Sequence, residues 1–313
     1  MTRPTLGFIG TGALGSALAR SLSTAGYQVT AVHNRSREKA IRVASALGGD
    51  ILAGSPQAVV DACELVFLTV PDDSIESLCD SLLWRAAQSA ESHGDSALQA
   101  HARTVVHASG AASVDILSHA ADAGAAVGVF HPLQTLACPE QAARNLAGSA
   151  FGIEASTDEL RETLDGMAHA LGGTPLWITG EKALYHASAV MASNYLVTLL
   201  GMAAGLWSHL GLTSDEGLRA LLPLARGTLN NLEHVGLPDA LTGPIARGDA
   251  GTVTRHLEVL NRMAPELLPA YKELARRTIP IAQAKGSLDD AGARRLCEQL
   301  TTHGDETDAN DNG

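Results

Sequence analysis

Cysteine is scarce in this chain and never paired in sequence. Cys63, Cys79, Cys138 and Cys297 show no CxxC or CxxH spacing, which argues against a metal site or a disulfide framework and fits a reducing compartment. Basic charge is also short: 22 Lys and Arg stand against 34 Asp and Glu, a formal net charge of −12. A surface that neutralises many phosphates is therefore lacking, so neither nucleic acid nor an anionic membrane is expected as a partner. Aromatic residues make up only 4%, and the abundance of Ala and Leu points to helix-rich packing. The first residues contain no apolar core with a cleavage site, and no uncharged apolar run of about 18 residues is expected further on, so the chain is read as cytoplasmic.

What is present is an alternation of short apolar runs and helical patterns. Residues 5–10, 28–32, 51–53, 65–70, 104–108, 126–131, 150–154 and 175–179 read as strands. Between the first four lie helices at 13–25, 36–47 and 56–63, the last opened by Ser55 as N-cap and Pro56 at the first helical position. Strands that read as continuous apolar runs and alternate with helices imply a parallel sheet covered on both faces, hence an α/β fold. From Glu181 the strand signal stops, and Ala/Leu-rich helical segments follow at 181–211, 214–235, 249–276 and 289–300. The expected domains are an α/β unit at 1–180, an all-helical unit at 181–303 and an acidic disordered tail at 304–313. Residues 85–103 read as a loose helix or surface insertion.

Gly10-Thr11-Gly12-Ala13-Leu14-Gly15 is a G-x-G-x-x-G run placed directly after a strand and opening a helix. Gly10 permits the tight turn, Gly12 lets backbone approach a pyrophosphate, and Gly15 allows close helix packing, with helix N–H groups facing the anion. The first domain is thus expected to be a Rossmann dinucleotide-binding domain. An NAD site ends its second strand with a carboxylate for the ribose 2′-hydroxyl. Here the stretch reads His33-Asn34-Arg35-Ser36-Arg37, with no acid, so Asn34, Arg35, Ser36 and Arg37 are expected to take a 2′-phosphate and the cofactor is NADP(H).

These glycines, with Thr69-Val70-Pro71-Asp72-Asp73, His107-Ala108-Ser109-Gly110, Phe130-His131-Pro132-Leu133-Gln134-Thr135 and Leu241–Asp249, resemble a bacterial family in which a Rossmann-like domain is joined to a C-terminal domain of unknown function. The resemblance covers nearly the whole chain. That family is similar to pyrroline-5-carboxylate reductase, 6-phosphogluconate dehydrogenase and ketopantoate reductase, which implies an all-helical dimerisation domain and a homodimer. In the dehydrogenases and ketopantoate reductases a catalytic Lys opens the first long C-terminal helix, with Asn four residues on. The resemblance carries that role to Lys182, whereas His186 stands where Asn would.

On a helix beginning near Glu181, positions 182, 186, 189 and 193 share one face. Lys182, His186 and Ser193 would line one stripe, with Asn194 farther round. A protonated Lys or His can donate to a carbonyl oxygen as hydride arrives. The alternatives are a solvent-facing first-turn lysine and an interior or interface histidine. His131 ends an apolar strand, the edge where open α/β sheets bind ligands, and with Gln134 it could hold a substrate carboxylate or carbonyl, unless it only packs the loop. Val70, Pro71 and Asp72, with Ser109 and Gly110, lie at other strand ends and are expected to meet the cofactor through backbone groups, though Ser109 also suits a plain turn. Arg247 could clamp a carboxylate or serve a rigid Gly/Pro turn, and Asp249 is an N-cap candidate for the helix that follows.

The sequence thus predicts an NADP(H)-dependent oxidoreductase acting on a small 2-oxo acid, with ketopantoate as the named candidate. Lys182, His186 and His131 are the catalytic candidates; Gln134, Ser193, Asn194 and Arg247 are the substrate contacts. Two rivals stand beside it: an imine reductase similar to pyrroline-5-carboxylate reductase, and a non-catalytic NADP-binding regulator.

Overall fold

The computed structural model describes residues 3–84, 104–136 and 139–302. The expected insertion at 85–103, the acidic tail at 304–313 and Cys138 lie outside the described residues. Two compact units divide the chain, Met1–Ser193 and Asn194–Gly313, so the boundary falls thirteen residues beyond the one expected from the loss of strand pattern at 180.

In the first unit the elements run β1 (Leu6–Ile9), α1 (Ala13–Thr24), β2 (Val29–His33), α2 (Arg37–Leu47), β3 (Leu52–Ala53), α3 (Pro56–Ala62), β4 (Leu65–Leu68) and α4 (Ile75–Asp80). They continue with β5 (Thr104–His107), α5 (Ser118–Asp122), β6 (Ala126–Pro132), α6 (Pro139–Leu146), β7 (Ala150–Ala155), α7 (Asp158–Ala170), β8 (Thr174–Trp177) and α8 (Lys182–Ala192). The eight strands form one sheet in the order β3-β2-β1-β4-β5-β6-β7-β8. Its first six strands follow the Rossmann order, with the reversal between β1 and β4 at which such sheets bind ligands.

One expectation fails here. β7 pairs antiparallel with β6, His131 opposite Gly152 and Val129 opposite Glu154, so the sheet is mixed rather than parallel. The apolar runs at 126–131 and 150–154 carry no signal of relative direction, because strand direction depends on how the intervening segment returns.

Helix starts are chemically specified. Ser36 accepts from Lys39 N, Ser55 from Ala58 N with Pro56 behind it, and Thr157 from Leu160 N. The few aromatics are concentrated: Phe8 stacks on Phe67 at 4.9 Å, Phe67 meets Phe130 edge-on, and Phe130 stacks on Phe151 at 4.7 Å. All four phenylalanines of the chain therefore form one fully buried row on a single face of the sheet. The face opposite is filled by Ile9, Val66, Leu68, Val105 and Leu117.

The second unit contains α9 (Asn194–Gly205), α10 (Ser214–Val235), α11 (Ala250–Met263), α12 (Leu268–Ala284) and α13 (Asp290–Thr302). Thr213 and Glu216 make a reciprocal capping box at the start of α10, which satisfies two N-terminal donors. Val253, Leu257, Ile279, Leu296 and Leu300 form its core. Asp249 accepts from Thr252 N at 3.0 Å and caps α11. The expected helix at 249–276 is two, broken at Ala264-Pro265, since proline lacks the N–H a continuing helix needs.

A further expectation is corrected in the stretch Lys182–Leu210. This stretch of 29 residues is helical on both sides of Ser193, and its most apolar 18-residue window has a mean hydropathy of 1.5 with only 6% of it buried. A long uncharged apolar run is therefore present after all. It is interrupted at Ser193, whose backbone (φ −113°, ψ −67°) ends α8.

Candidate active site

Two features meet at the carboxyl edge of the first unit's sheet. The first is a groove of about 580 Å³ at the β1/β4 reversal, lined by Gly10, Gly12, His33, Asn34, Arg35, Lys39, Val70 and Pro71 among others. Gly10 has φ +106°, and a methyl group there would lie 2.6 Å from Thr69 O. At Gly15 a methyl would collide with Gly10 O and Thr69 Oγ1, so α1 sits too close to the β1 and β4 ends for any side chain. Around Gly12 there is open space, and it caps α1 with no side-chain hydrogen bond. The helix therefore presents free first-turn N–H groups to an anion.

Asn34 is fixed by donation from Nδ2 to Thr11 Oγ1 at 3.2 Å and by acceptance at Oδ1 from Ser36 N at 3.0 Å. Of the expected cofactor residues, Gly10, Gly12, Asn34, Arg35, Val70 and Pro71 line the groove. Thr11 and Gly15 are buried beneath it. Ala13, Leu14, Ser36 and Arg37 are not among its walls, and Ser36 serves as the cap of α2. Lys39, two residues past Arg37, takes the place expected for that arginine.

The second feature begins at Asp72, directly after Val70 and Pro71. Ser109 Oγ donates to Asp72 Oδ2 at 2.7 Å and accepts from Ala111 N and Ala112 N. Its hydroxyl is fully used inside the protein. Its side chain thus holds Asp72 and suits the turn reading, and only backbone groups of Ser109 remain for the expected cofactor contact. His107 is completely buried; its Nδ1 accepts from Ser109 N, which leaves Nε2 to donate to Ser113 O at 3.1 Å. Both ring nitrogens are thereby assigned to a neutral imidazole, and burial pushes its pKa down in agreement.

His131 lies at the end of β6. Its ring rests on Gly110, where a methyl group would come within 2.7 Å of Cε1, and Nδ1 is 3.0 Å from Tyr185 Oη. Tyr185 in turn stands over Gly152, where a methyl would lie 2.8 Å from Oη. Two missing side chains thus make the room in which His131 and Tyr185 meet. Gly152 and Glu154 share a sheet face, and residues 182 and 185 are neighbours on α8, so the helix sets Lys182 against Glu154 and Tyr185 against Gly152. Lys182 Nζ is 3.1 Å from Glu154 Oε1 with only 3% of its side chain exposed. The pair is poorly aligned for a hydrogen bond, and the ammonium has no other acceptor among the described residues. Glu154 Oε2 also accepts from Val114 N. His186 completes the group, its ring 6.5 Å from that of His131.

The structure therefore unites Lys182, His186 and His131, and the solvent-facing alternative for Lys182 is overturned. Gln134 is elsewhere engaged: it is exposed, donating to Asn145 O and Ser149 Oγ and accepting from Thr135 N. Ser193 ends α8, while Asn194 and Arg247 belong to the second unit, where both are exposed. Sequence reasoning placed Asp72 only as a backbone contact of the cofactor, and missed Glu154 and Tyr185 as site residues. For Tyr185 a signal existed, its place one helical turn after Lys182. For Glu154 there was none, since its partner depends on the antiparallel β6–β7 pairing.

Burial, with His186 and Lys182 nearby, lowers the pKa of His131 to about 4. In the unfolded chain it is about 6.5. Unfolding then takes up a proton at any pH between these values. The stabilisation is complete above 6.5 and is lost as pH falls towards 4, by about 3 kcal/mol in all. His107 shifts the same way. Urea unfolding at pH 7.5 and pH 5 should show a marked acid loss of stability that His131→Asn reduces; equal losses in both proteins would refute the assignment.

No curated protein matches the sequence. Residues 5–93 match the family described as NADP oxidoreductase coenzyme F420-dependent, and residues 149–278 match DUF2520, a domain of unknown function. Among solved structures, protein TM1727 from Thermotoga maritima is similar at 23% identity and TM-score 0.68, covering 90% of this chain and 99% of that one. Protein BF3122 from Bacteroides fragilis is similar at 21% identity and TM-score 0.66, covering 89% and 98%. A pyrroline carboxylate reductase from Plasmodium falciparum, solved with NADP bound, is similar at 14% identity and TM-score 0.56, covering 94% and 99%.

Proposed function

We propose, for a chain that carries an NADP-oxidoreductase segment followed by the DUF2520 domain, that it is an NADP(H)-dependent reductase of a small C=N substrate. The glycine loop and the bare N-terminus of α1 fit a pyrophosphate, and Arg35 with Lys39 fits a 2′-phosphate. Bound there, the cofactor supplies a hydride. The observation that carries the C=N reading is the charge of the neighbouring cluster. Lys182 is matched by Glu154, His131 and His107 are neutral, and Asp72 remains in excess. One cation against two carboxylates favours an imine nitrogen that gains positive charge as it takes up a proton in the site, and repels the carboxylate of a 2-oxo acid. The structural likeness to a pyrroline carboxylate reductase is in keeping with C=N chemistry, while the excess of carboxylates favours an imine without a carboxylate of its own.

The second reading, a 2-oxo acid such as ketopantoate, rests on the buried Lys182 ammonium, whose protons lack an aligned acceptor. Incubating the protein with NADPH and a panel of cyclic imines and 2-oxo acids, with absorbance at 340 nm, separates the two. Oxidation with imines only supports the proposal, oxidation with 2-oxo acids only replaces it, and micromolar NADPH binding without turnover points to a non-catalytic regulator.

The working form proposed is a homodimer in the cytoplasm. Within the second unit Val197, Leu210, Leu224, Val235 and Leu237 are each more than half exposed, an apolar extent that isolated soluble chains rarely leave uncovered. A second copy, related by a two-fold axis, would cover it. Light scattering should give twice the mass of one chain, and Val197→Asp with Leu224→Asp should halve it. A monomeric parent protein would refute the dimer.

A further inference from the structure

We infer that Tyr185 is the catalytic proton donor of the reduction and that His131 positions its hydroxyl. The inference rests on the C=N reading above and deepens it. Three observations on separate elements converge on this one oxygen. His131 Nδ1, from the end of β6, lies 3.0 Å from Tyr185 Oη. On β7, Gly152 leaves the space that the oxygen fills, and in the loop after β5, Gly110 leaves the space for the His131 ring. The two rings meet nearly perpendicular, at 88°, so the hydroxyl is directed rather than merely packed.

The other polar groups of the cluster are less suited to the task. Ser109 has its proton committed to Asp72, and His107 has both nitrogens committed to backbone. The Lys182 ammonium is drawn towards Glu154, 5.6 Å from the centre of the Tyr185 ring. Burial raises the pKa of Tyr185, which keeps its oxygen protonated at neutral pH. Lys182 then has a supporting role: a cation beside the ring stabilises negative charge on the phenolic oxygen while the proton is away.

The step balances as follows. Hydride supplied by NADPH forms the new C–H bond at the imine carbon as the C=N π pair moves to nitrogen. The Tyr185 O–H bond breaks and the N–H bond of the amine forms. The cofactor is oxidised, the C=N bond is reduced, and the tyrosinate regains its proton from water.

An iminium nitrogen that already carries an alkyl group needs no proton, and this gives a test that a structural role could not mimic. Wild type and Tyr185→Phe would be compared on 2-methyl-1-pyrroline and on its N-methyl iminium salt, with NADPH affinity measured by fluorescence titration. We expect kcat on the imine to fall about 100-fold in Tyr185→Phe, in the range that general acids contribute. Turnover of the N-methyl salt and NADPH affinity should stay within about 3-fold. His131→Asn should lower kcat on the imine by a smaller factor and spare the salt. Equal losses on both substrates, or no loss on either, would overturn the assignment. If wild type reduces neither compound nor any other imine, it is the reductase reading that fails, and this inference falls with it.

Discussion

Replacing Arg35 and Lys39 together by alanine is expected to weaken NADPH binding about 100-fold while leaving NADH binding nearly unchanged. Both side chains line the groove at the end of β2, where an NAD site would present a carboxylate. A charge-assisted hydrogen bond to a phosphate contributes about 1.5–3 kcal/mol. Both residues are exposed, so solvent screening holds each to the lower end. Two such bonds amount to about 3 kcal/mol, and 1.4 kcal/mol is tenfold in affinity. Arg37→Ala should cost less than about 3-fold, because Arg37 starts α2 outside the groove walls. Titration of both cofactors against each variant by fluorescence checks this. Equal loss of NADH and NADPH would mean that the pair shapes the groove rather than reads the 2′-phosphate.

The contrast between Arg37 and Lys39 illustrates where sequence reading stops. Local chemistry was legible: the glycine loop, the missing acid after β2, the Ser55-Pro56 cap, the Asp249 cap and the strand end at His131 all depend on neighbours within a few residues. Which basic residue of α2 faces the groove depends on how that helix is rotated, and Ser36 sets this by capping at Lys39 N. The centre of the candidate site is less legible still. Glu154 becomes the partner of Lys182 only because β7 runs against β6, and Tyr185 meets His131 only because Gly110 and Gly152 lack side chains. A glycine that leaves space for a distant ring looks, in sequence, like any other strand or turn glycine. The apolar run after Lys182 is written in the sequence but masked there, since scattered Ser, Asn and His residues break up a stretch without a single Asp, Glu, Lys or Arg between Ala183 and Ser214.

The buried pair leads to the second large effect. Glu154→Ala would strand the Lys182 ammonium, 3% exposed, without a counter-charge and without an aligned acceptor among the described residues. Breaking a buried pair by removing one partner costs about 3–5 kcal/mol, because the remaining charge must stay desolvated or give up its proton. With Glu154 itself 19% exposed, water can reach part of the gap, and about 3 kcal/mol is expected. The same substitution frees the Val114 N–H that Glu154 Oε2 accepts, which adds to the loss rather than offsetting it. Replacing both partners, Glu154→Ala with Lys182→Met, leaves no stranded charge and should recover most of the stability. Urea unfolding of the two single variants and the double variant isolates the coupling. If Glu154→Ala costs less than about 1 kcal/mol, the pair behaves as a solvated one, and Lys182 is then free to face substrate. That outcome would shift the balance of the cluster's charge towards the cation and favour a 2-oxo acid over an imine, so one stability measurement also bears on the choice between the two substrate classes.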